Sequence, residues 1–389
     1  MLSSISTTAG SQEKPTIGAS AILLGTVASP GVANRTLIEG YVTQPMLMGS
    51  IPVAKGRVVA DLTFNFEGIT LQRGELNAGV YGEGYVDRRH PHTWLHEAVV
   101  TGFAEGAFTR FSVTVGKGFV PYGTDDPMSR PFVKYPVNHH LAQVLERVGL
   151  FAAAAAGPFI LEAGVFNGDE PESPSDAPAW DRIADSWSIR ATGRHPLGLE
   201  IQGSIANVVS PEIGQGGGLD HRKLSASARY ESGKRYAMAE WVRSSERDRG
   251  ETAFAFSSAL AELSLPLRRI QVGLRAERTE RPEEERLLNV FRTPRPHTDL
   301  SILGRTRWDV LSATASRPIV RGRTSIAPFI EVSTQKPTVI ERPSVFEPHE
   351  FYGAGRLWNF SGGLRVGVGM RHTRMGRYGV ATQPGTHTH

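Results

Sequence analysis

Apolar and polar side chains alternate with a period of two along most of the chain from Val58 onward, and that period marks extended strands whose two faces meet different environments. Val58, Ala60, Leu62, Phe64 and Phe66 share one face, with Asp61, Thr63, Asn65 and Glu67 opposite. Ile270, Val272, Leu274 and Ala276 oppose Arg269, Gln271, Arg275 and Glu277, and Ile302, Thr306, Trp308 and Val310 oppose Arg305, Arg307 and Asp309. The pattern predicts strands near 36–47, 57–67, 94–105, 108–119, 142–155, 158–166, 185–195, 198–209, 222–231, 235–245, 251–264, 267–278, 300–314, 323–335 and 361–374. No stretch holds a 3.6-residue period, although 138–151 and 293–303 each offer one helical turn.

The connections between these strands alternate in length. Tight ones run Ala104 to Phe108, Ala155 to Phe159, Gly193 to Gly198, Glu231 to Arg235, Leu265 to Arg269 and Arg317 to Arg323. Long ones run Gly68 to Thr93, Val120 to Leu141, Asn167 to Ala184, Ser210 to His221, Arg278 to Asp299 and Gln335 to Phe360. A soluble sandwich has no reason to sort its loops this way, whereas a transmembrane ring sets short periplasmic turns against long extracellular loops. Hydrocarbon offers no hydrogen-bond partners, so a sheet crosses it only when closed. The expected fold is therefore all-β: a transmembrane antiparallel β-barrel of about 14–16 strands, with sixteen the expected count because single-chain bacterial barrels have even numbers. Tyr41, Trp94, Phe111, Phe119, Trp187, Tyr230, Tyr236, Trp241, Trp308 and Trp358 lie near strand ends and suit interfacial girdles.

Composition narrows the class. No apolar run approaches the ~18 residues of a spanning helix. The 43 Lys and Arg against 39 Asp and Glu are interleaved, unlike the one-sided footprint of a nucleic-acid binder. With no cysteine, thiolate catalysis, iron–sulfur ligation and disulfides are excluded. Near the start, an apolar segment from Ile17 to Val27 follows Lys14 and precedes small residues at Gly31 and Ala33. It reads as a signal-peptide-like or disordered segment over 1–33, before a single barrel domain over 34–380 and a disordered tail over 381–389.

Two groups of residues carry candidate chemistry. The stretch DRRHPHTWLHE supplies His90, His92 and His96, and Asn138-His139-His140 adds two imidazoles; with Glu97 these are ligand types for a divalent metal such as zinc, nickel or copper. On a regular strand, however, His96 and Glu97 point to opposite faces. The competing reading has these imidazoles hydrogen-bonding with Asp87, Arg88, Arg89 and Asn138 to tie loops to the wall. The second group is the set of charged and polar residues on polar strand faces, expected to line a lumen: Asp61, Asn65, Glu67, Arg190, Glu200, Arg229, Arg269, Arg275, Glu277, Arg305, Arg307, Asp309, Arg365 and Arg371. Opposite charges there either pair across strands and crowd the lumen or leave a mild excess of arginine that favours anions. No G-x-S-x-G elbow is present, and GQGGG at 214–218 lacks the Lys-Ser/Thr of a phosphate loop. The reading is not an enzyme.

VDRRHPHTWLHEAVV, GKGFVPYGTDDPMSRP and NHHLAQ together resemble an uncharacterised, porin-like family of Gram-negative outer-membrane β-barrels in which a DRxHPH stretch precedes a strand and an RP…HH stretch follows two strands later. The resemblance spans roughly residues 85–145, and FYGAGRLWNFSGGLRVGVGMRHTRMGRYG is similar to the last external loop and closing strand of such barrels. Phosphate-selective porins are similar in architecture only. The resemblance implies a bacterial outer-membrane location and adds no activity. It departs at the end, where barrels usually finish on an aromatic residue but this chain continues past Tyr378 to His387 and His389. The expected function is passive diffusion of small solutes through an outer-membrane channel with weak anion preference and no cofactor, the partners being the lipid bilayer and the solutes, without nucleic acid. The alternatives are a metal- or ligand-binding barrel using His90, His92, His96, His139 and His140, or a non-conducting structural barrel.

Overall fold

The computed structural model describes residues 14–29, 36–70, 93–125, 129–144, 146–171, 174–284, 302–341, 347–369 and 374–382. Its strands are β1 (Thr16–Ser29), β2 (Leu37–Val53), β3 (Val58–Asn65), β4 (Leu95–Glu105), β5 (Arg110–Gly118), β6 (Arg147–Ala156), β7 (Phe159–Phe166), β8 (Ser186–Arg194), β9 (Leu199–Val208), β10 (Asp220–Ser232), β11 (Arg235–Asp248), β12 (Glu251–Leu267), β13 (Ile270–Glu284), β14 (Ile302–Ser316), β15 (Ile319–Arg321), β16 (Thr324–Val339) and β17 (Leu357–Gly369). Among the described residues, three α-helices of about one turn lie in connections: α1 (Glu67–Thr70), α2 (His139–Ala142) and α3 (Pro348–Tyr352).

Strands adjacent in the chain pair antiparallel, except β14 with β15, and β1 pairs with both β2 and β17, from Gly18 opposite Gly369 to Ser29 opposite Trp358. The pairing of β1 with β17 closes the ring and removes the two open edges of the sheet. β14 and β15 run on one line and both pair with β16, so the wall has sixteen staves.

The sixteenth stave corrects the reading of the N-terminal region. The apolar stretch expected to be a leader or a loose tail within 1–33 is β1, which closes the barrel. It concealed its period because Ile22 and Leu24, which face inward, are as apolar as the outward Ile17 and Leu23; inside, they pack against Val133, Tyr135 and Phe329. Likewise the tail expected to be loose from 381 onward begins with Ala381, which is fully buried beside Ala155, Ile160 and Val380.

Most of the wall follows simple alternation. On β5 the aliphatic and aromatic Phe111, Val113 and Val115 are exposed outward while Ser112 and Thr114 are buried inward; on β8, Trp187 and Ile189 face out while Ser188, Arg190 and Thr192 face in. Exposed Leu150, Leu161, Ile201, Leu274, Leu311, Ile330, Phe360 and Leu364 continue this apolar belt around the ring. Such a surface is unfavourable in water and favourable against lipid. No described helix is long and apolar enough to cross a membrane; the crossing is made by strands.

Candidate functional site

The interior is occupied by the chain's own polypeptide. The connection between β5 and β6 turns inward, its base joined where Val120 N–H donates to the Val144 carbonyl at 3.0 Å. Gly123 has φ of 69°, and any Cβ there would collide with the Ala142 carbonyl, so the inward turn needs glycine. From this turn the segment spans the ring. Gly123 N–H donates to Ser204 on β9 at 2.9 Å, Asn138 to Glu240 on β11 at 2.9 Å, Val137 N–H to Glu277 on β13 at 2.8 Å, and Val133 N–H to Glu331 on β16 at 3.0 Å. In return, Arg365 on β17 donates to the carbonyls of Arg130 and Phe132 at 3.3 and 3.0 Å. On the side of β6, β7, β9 and β11, Val120, Tyr122, Ala142 and Val144 pack against Phe151, Phe166, Val208 and Val242.

A second internal segment follows the closing strand. Arg374 reaches Asp125 of the inward connection at 2.7 and 2.9 Å and Glu200 of β9 at 2.8 and 2.7 Å. Arg377 lies against Glu162 at 3.0 Å, Glu200 at 3.3 Å and Asp125 at 3.4 Å, and donates to Thr192 and Gln202 at 3.1 Å each. Arg190 holds Glu162 through two bonds of 2.7 Å and donates to the carbonyls of Gly123 and Gly376, which joins both segments to one stave. Arg229 also pairs with Asp125, and Arg194 with Glu200 at 2.9 Å. Arg190, Arg194, Arg229, Arg374 and Arg377 therefore meet three buried carboxylates, those of Asp125, Glu162 and Glu200, while Glu231 joins Arg229 from a half-exposed position. Paired guanidinium and carboxylate groups tolerate this burial because their donors and acceptors match in planar, two-bond geometry.

Across the lumen a second network surrounds the inward segment. Arg130 lies 3.7 Å from both Glu240 and Glu262, and Arg275 bonds Glu262 at 2.8 Å, donates to the Lys134 carbonyl at 2.8 Å and lies over the Phe132 ring. Burial lowers the Lys134 ammonium from its usual value to about 8; the Glu331 carboxylate opposes that shift and Arg275 adds to it. Tyr378 donates to Glu97 at 2.7 Å and accepts from Phe119 N–H at 2.9 Å. Burial first, then the Glu97 charge, pushes its phenol upward, so it remains a donor.

Of the residues expected to line the lumen, Asp61, Asn65, Glu67, Arg190, Glu200, Arg229, Arg275, Glu277 and Arg365 lie on the inward face or in these networks. Arg371 lies outside the described residues. Four expectations are corrected. Arg269 is exposed at the tight turn between β12 and β13. Arg305, Arg307 and Asp309 lie on the outer face of β14, because Thr306, Trp308 and Val310 are the buried set. Trp308 points inward, where it meets Tyr352 of α3 edge-on at 5.9 Å and Arg281 at 5.8 Å. The upper part of this long strand rises toward the loops, so its inner side packs beneath a loop and its outer side is polar.

The histidines do not gather into one site in the described residues. His96 and Glu97 are both buried, because a bulge makes Phe64 pair with Leu95 and Thr63 with Glu97, leaving His96 as the extra residue. His96 Nδ1 lies 2.5 Å from Glu146, and its ring meets Phe119 edge-on. His139 packs on Tyr135 and on the exposed His140. His90 and His92 lie outside the described residues, and among the described residues no group of three His, Cys, Asp or Glu is placed to hold a metal ion. Asp125, Arg130, Lys134, Glu162, Arg374 and Arg377 were not anticipated. The basic spacing Arg374-x-x-Arg377-Tyr378 just past the closing strand was the available signal.

A closed ring of sixteen staves with an apolar outer belt and a charged interior defines a bacterial outer-membrane β-barrel with porin architecture. The chain is similar in structure to an anion-selective porin from Comamonas acidovorans, with a TM-score of 0.54 and 12% identity over 92% of this chain and 99% of that one. It is also similar to OmpF of Salmonella typhi solved with daunomycin (TM-score 0.51, 8% identity, 92% and 97% covered) and to a loop-deletion form of OmpT of Vibrio cholerae (TM-score 0.51, 8% identity, 91% and 99% covered). No protein-family model and no curated protein sequence matches the chain.

Proposed function

We propose that this barrel is a porin-like channel for passive diffusion of small solutes, with a bore set by its two internal segments and a weak preference for anions. The observation that carries the reading is the inward segment beginning at Phe119, which is tethered to β9, β11, β13, β16 and β17 and narrows the lumen from within. The anion preference rests on the five guanidinium groups that gather around three buried carboxylates near the second segment. Fixed positive charge in a low-dielectric passage raises the local concentration of anions.

The test is conductance in a planar bilayer under a potassium chloride gradient. Wild-type protein is expected to give small channels whose reversal potential has the anion sign. Ending the chain at Thr373 should raise conductance several-fold, and Arg374→Gln with Arg377→Gln in the full-length chain should move the reversal potential toward cations. If wild-type, truncated and doubly substituted barrels all insert yet none conducts, the reading fails and a structural role takes its place.

A further inference from the structure

The outer wall carries an ionic row that the channel does not use. Arg278, Asp309 and Lys336 are direct cross-strand partners on β13, β14 and β16, and Arg356 follows just beyond the end of the β16–β17 ladder. All four point away from the lumen: the Arg278 side chain is 64% exposed and that of Asp309 37%, while their neighbours Glu277 and Val310 are buried inside. They border a groove of about 540 Å³ whose floor contains Ala259, Ala261 and Ala276.

The height of the row follows from the ladders. Ala259, opposite Arg278 on β12, pairs on its other side with Trp241, an exposed tryptophan of the outer face; Trp358, also exposed, pairs with Thr334 two positions below Lys336. Exposed tryptophans on a membrane barrel lie at headgroup level. The row therefore stands at the interface on the side of the long loops, which faces the outer leaflet. One carboxylate, 2.6 Å from Arg278, accompanies three cations, and Arg356 also donates to Thr334 at 3.3 Å.

We propose that this groove binds a phosphorylated lipid of the outer leaflet, its phosphate held between Arg278, Lys336 and Arg356 and its acyl portion lying along the alanine floor and Leu311. Guanidinium and ammonium groups on neighbouring staves, spaced by strand separation, match a phosphomonoester, and small floor residues leave room for a chain beside the wall. Asp309 orients Arg278 and leaves the row net positive.

Lipopolysaccharide serves as the probe, titrated into detergent-solubilised full-length protein and followed by native mass spectrometry. Arg278→Ser, Lys336→Ser and Arg356→Ser together should weaken retention about a hundredfold, at roughly a fivefold step per cation. Heat-modifiability of the barrel should be unchanged, because the row is outside the buried networks, and enzymatically dephosphorylated lipopolysaccharide should bind wild-type protein no better than intact lipid binds the triple variant. Equal retention by the triple variant, or equal binding of the dephosphorylated lipid, overturns the proposal. So does a disulfide-linked dimer formed efficiently by Thr334→Cys in membranes, since a second copy of the chain would then cover this wall.

Discussion

Arg275 and Arg278 lie three residues apart on β13 and meet opposite surroundings. Arg275 faces inward with its side chain 1% exposed, bonded to Glu262 and to the Lys134 carbonyl and stacked over Phe132. Arg278 faces outward, 64% exposed, with Asp309 beside it. The inner pair has given up water and depends on its partners; the outer pair keeps water as an alternative partner. Burial multiplies what a lost partner costs, because an isolated ion in a low-dielectric interior has nothing else to stabilise it. At the wall's outer surface the same two chemical groups are nearly exchangeable with solvent and salt.

The largest test of this contrast is to remove the inner acid. Glu262→Ala leaves both Arg275 and Arg130 short of a carboxylate inside the barrel, and should lower stability by about 3–5 kcal/mol, read as a shift in the urea midpoint of the refolded barrel. A shift indistinguishable from a surface substitution would mean that water reaches this network freely.

Lys134 sharpens the comparison through pH. Its folded-state value of about 8 lies below the unfolded 10.5, so between these values the unfolded chain binds more protons. The burial penalty is thus present in full below about pH 8 and is relieved as pH rises toward 10.5, where the folded barrel gains up to about 3 kcal/mol relative to neutral pH. Lys134→Met should flatten this rise in a pH series of urea midpoints. Parallel curves for variant and wild type would show that the ammonium is hydrated.

The smallest effect is predicted outside. Asp309→Ala, which removes the acid beside Arg278, should leave the urea midpoint where it was at moderate salt. A loss comparable to that of Glu262→Ala would place the outer row in a dry interface, and the contrast between the two faces would collapse.

Much of the wall was legible because each strand is written by two solvents at once. Alternation on β3, β8 and β13 located the inward faces of Asp61, Arg190 and Arg275 without reference to any partner. The rule failed where one of the two solvents was missing. β1 is apolar on both sides because its interior face packs on Val133 and Tyr135, and β14 inverts near the loops because Trp308 is covered from within by Tyr352. The His96 bulge was illegible for a third reason: one extra residue changes the parity of all that follows, and nothing local announces it.

The candidate site divides the same way. Which arginines sit on an inward face is a matter of parity. Which acids they meet depends on contacts between residues far apart in the chain, such as Asp125 with Arg374 or Glu97 with Tyr378. The amino-acid sequence alone determined that the chain forms a closed sheet with lipid outside and polar groups inside, because periodicity and loop length are local properties imposed by the membrane. Only the tertiary structure decided that the polar interior is filled by the chain's own segments and how its charges pair, because pairing depends on where the ring brings distant residues together.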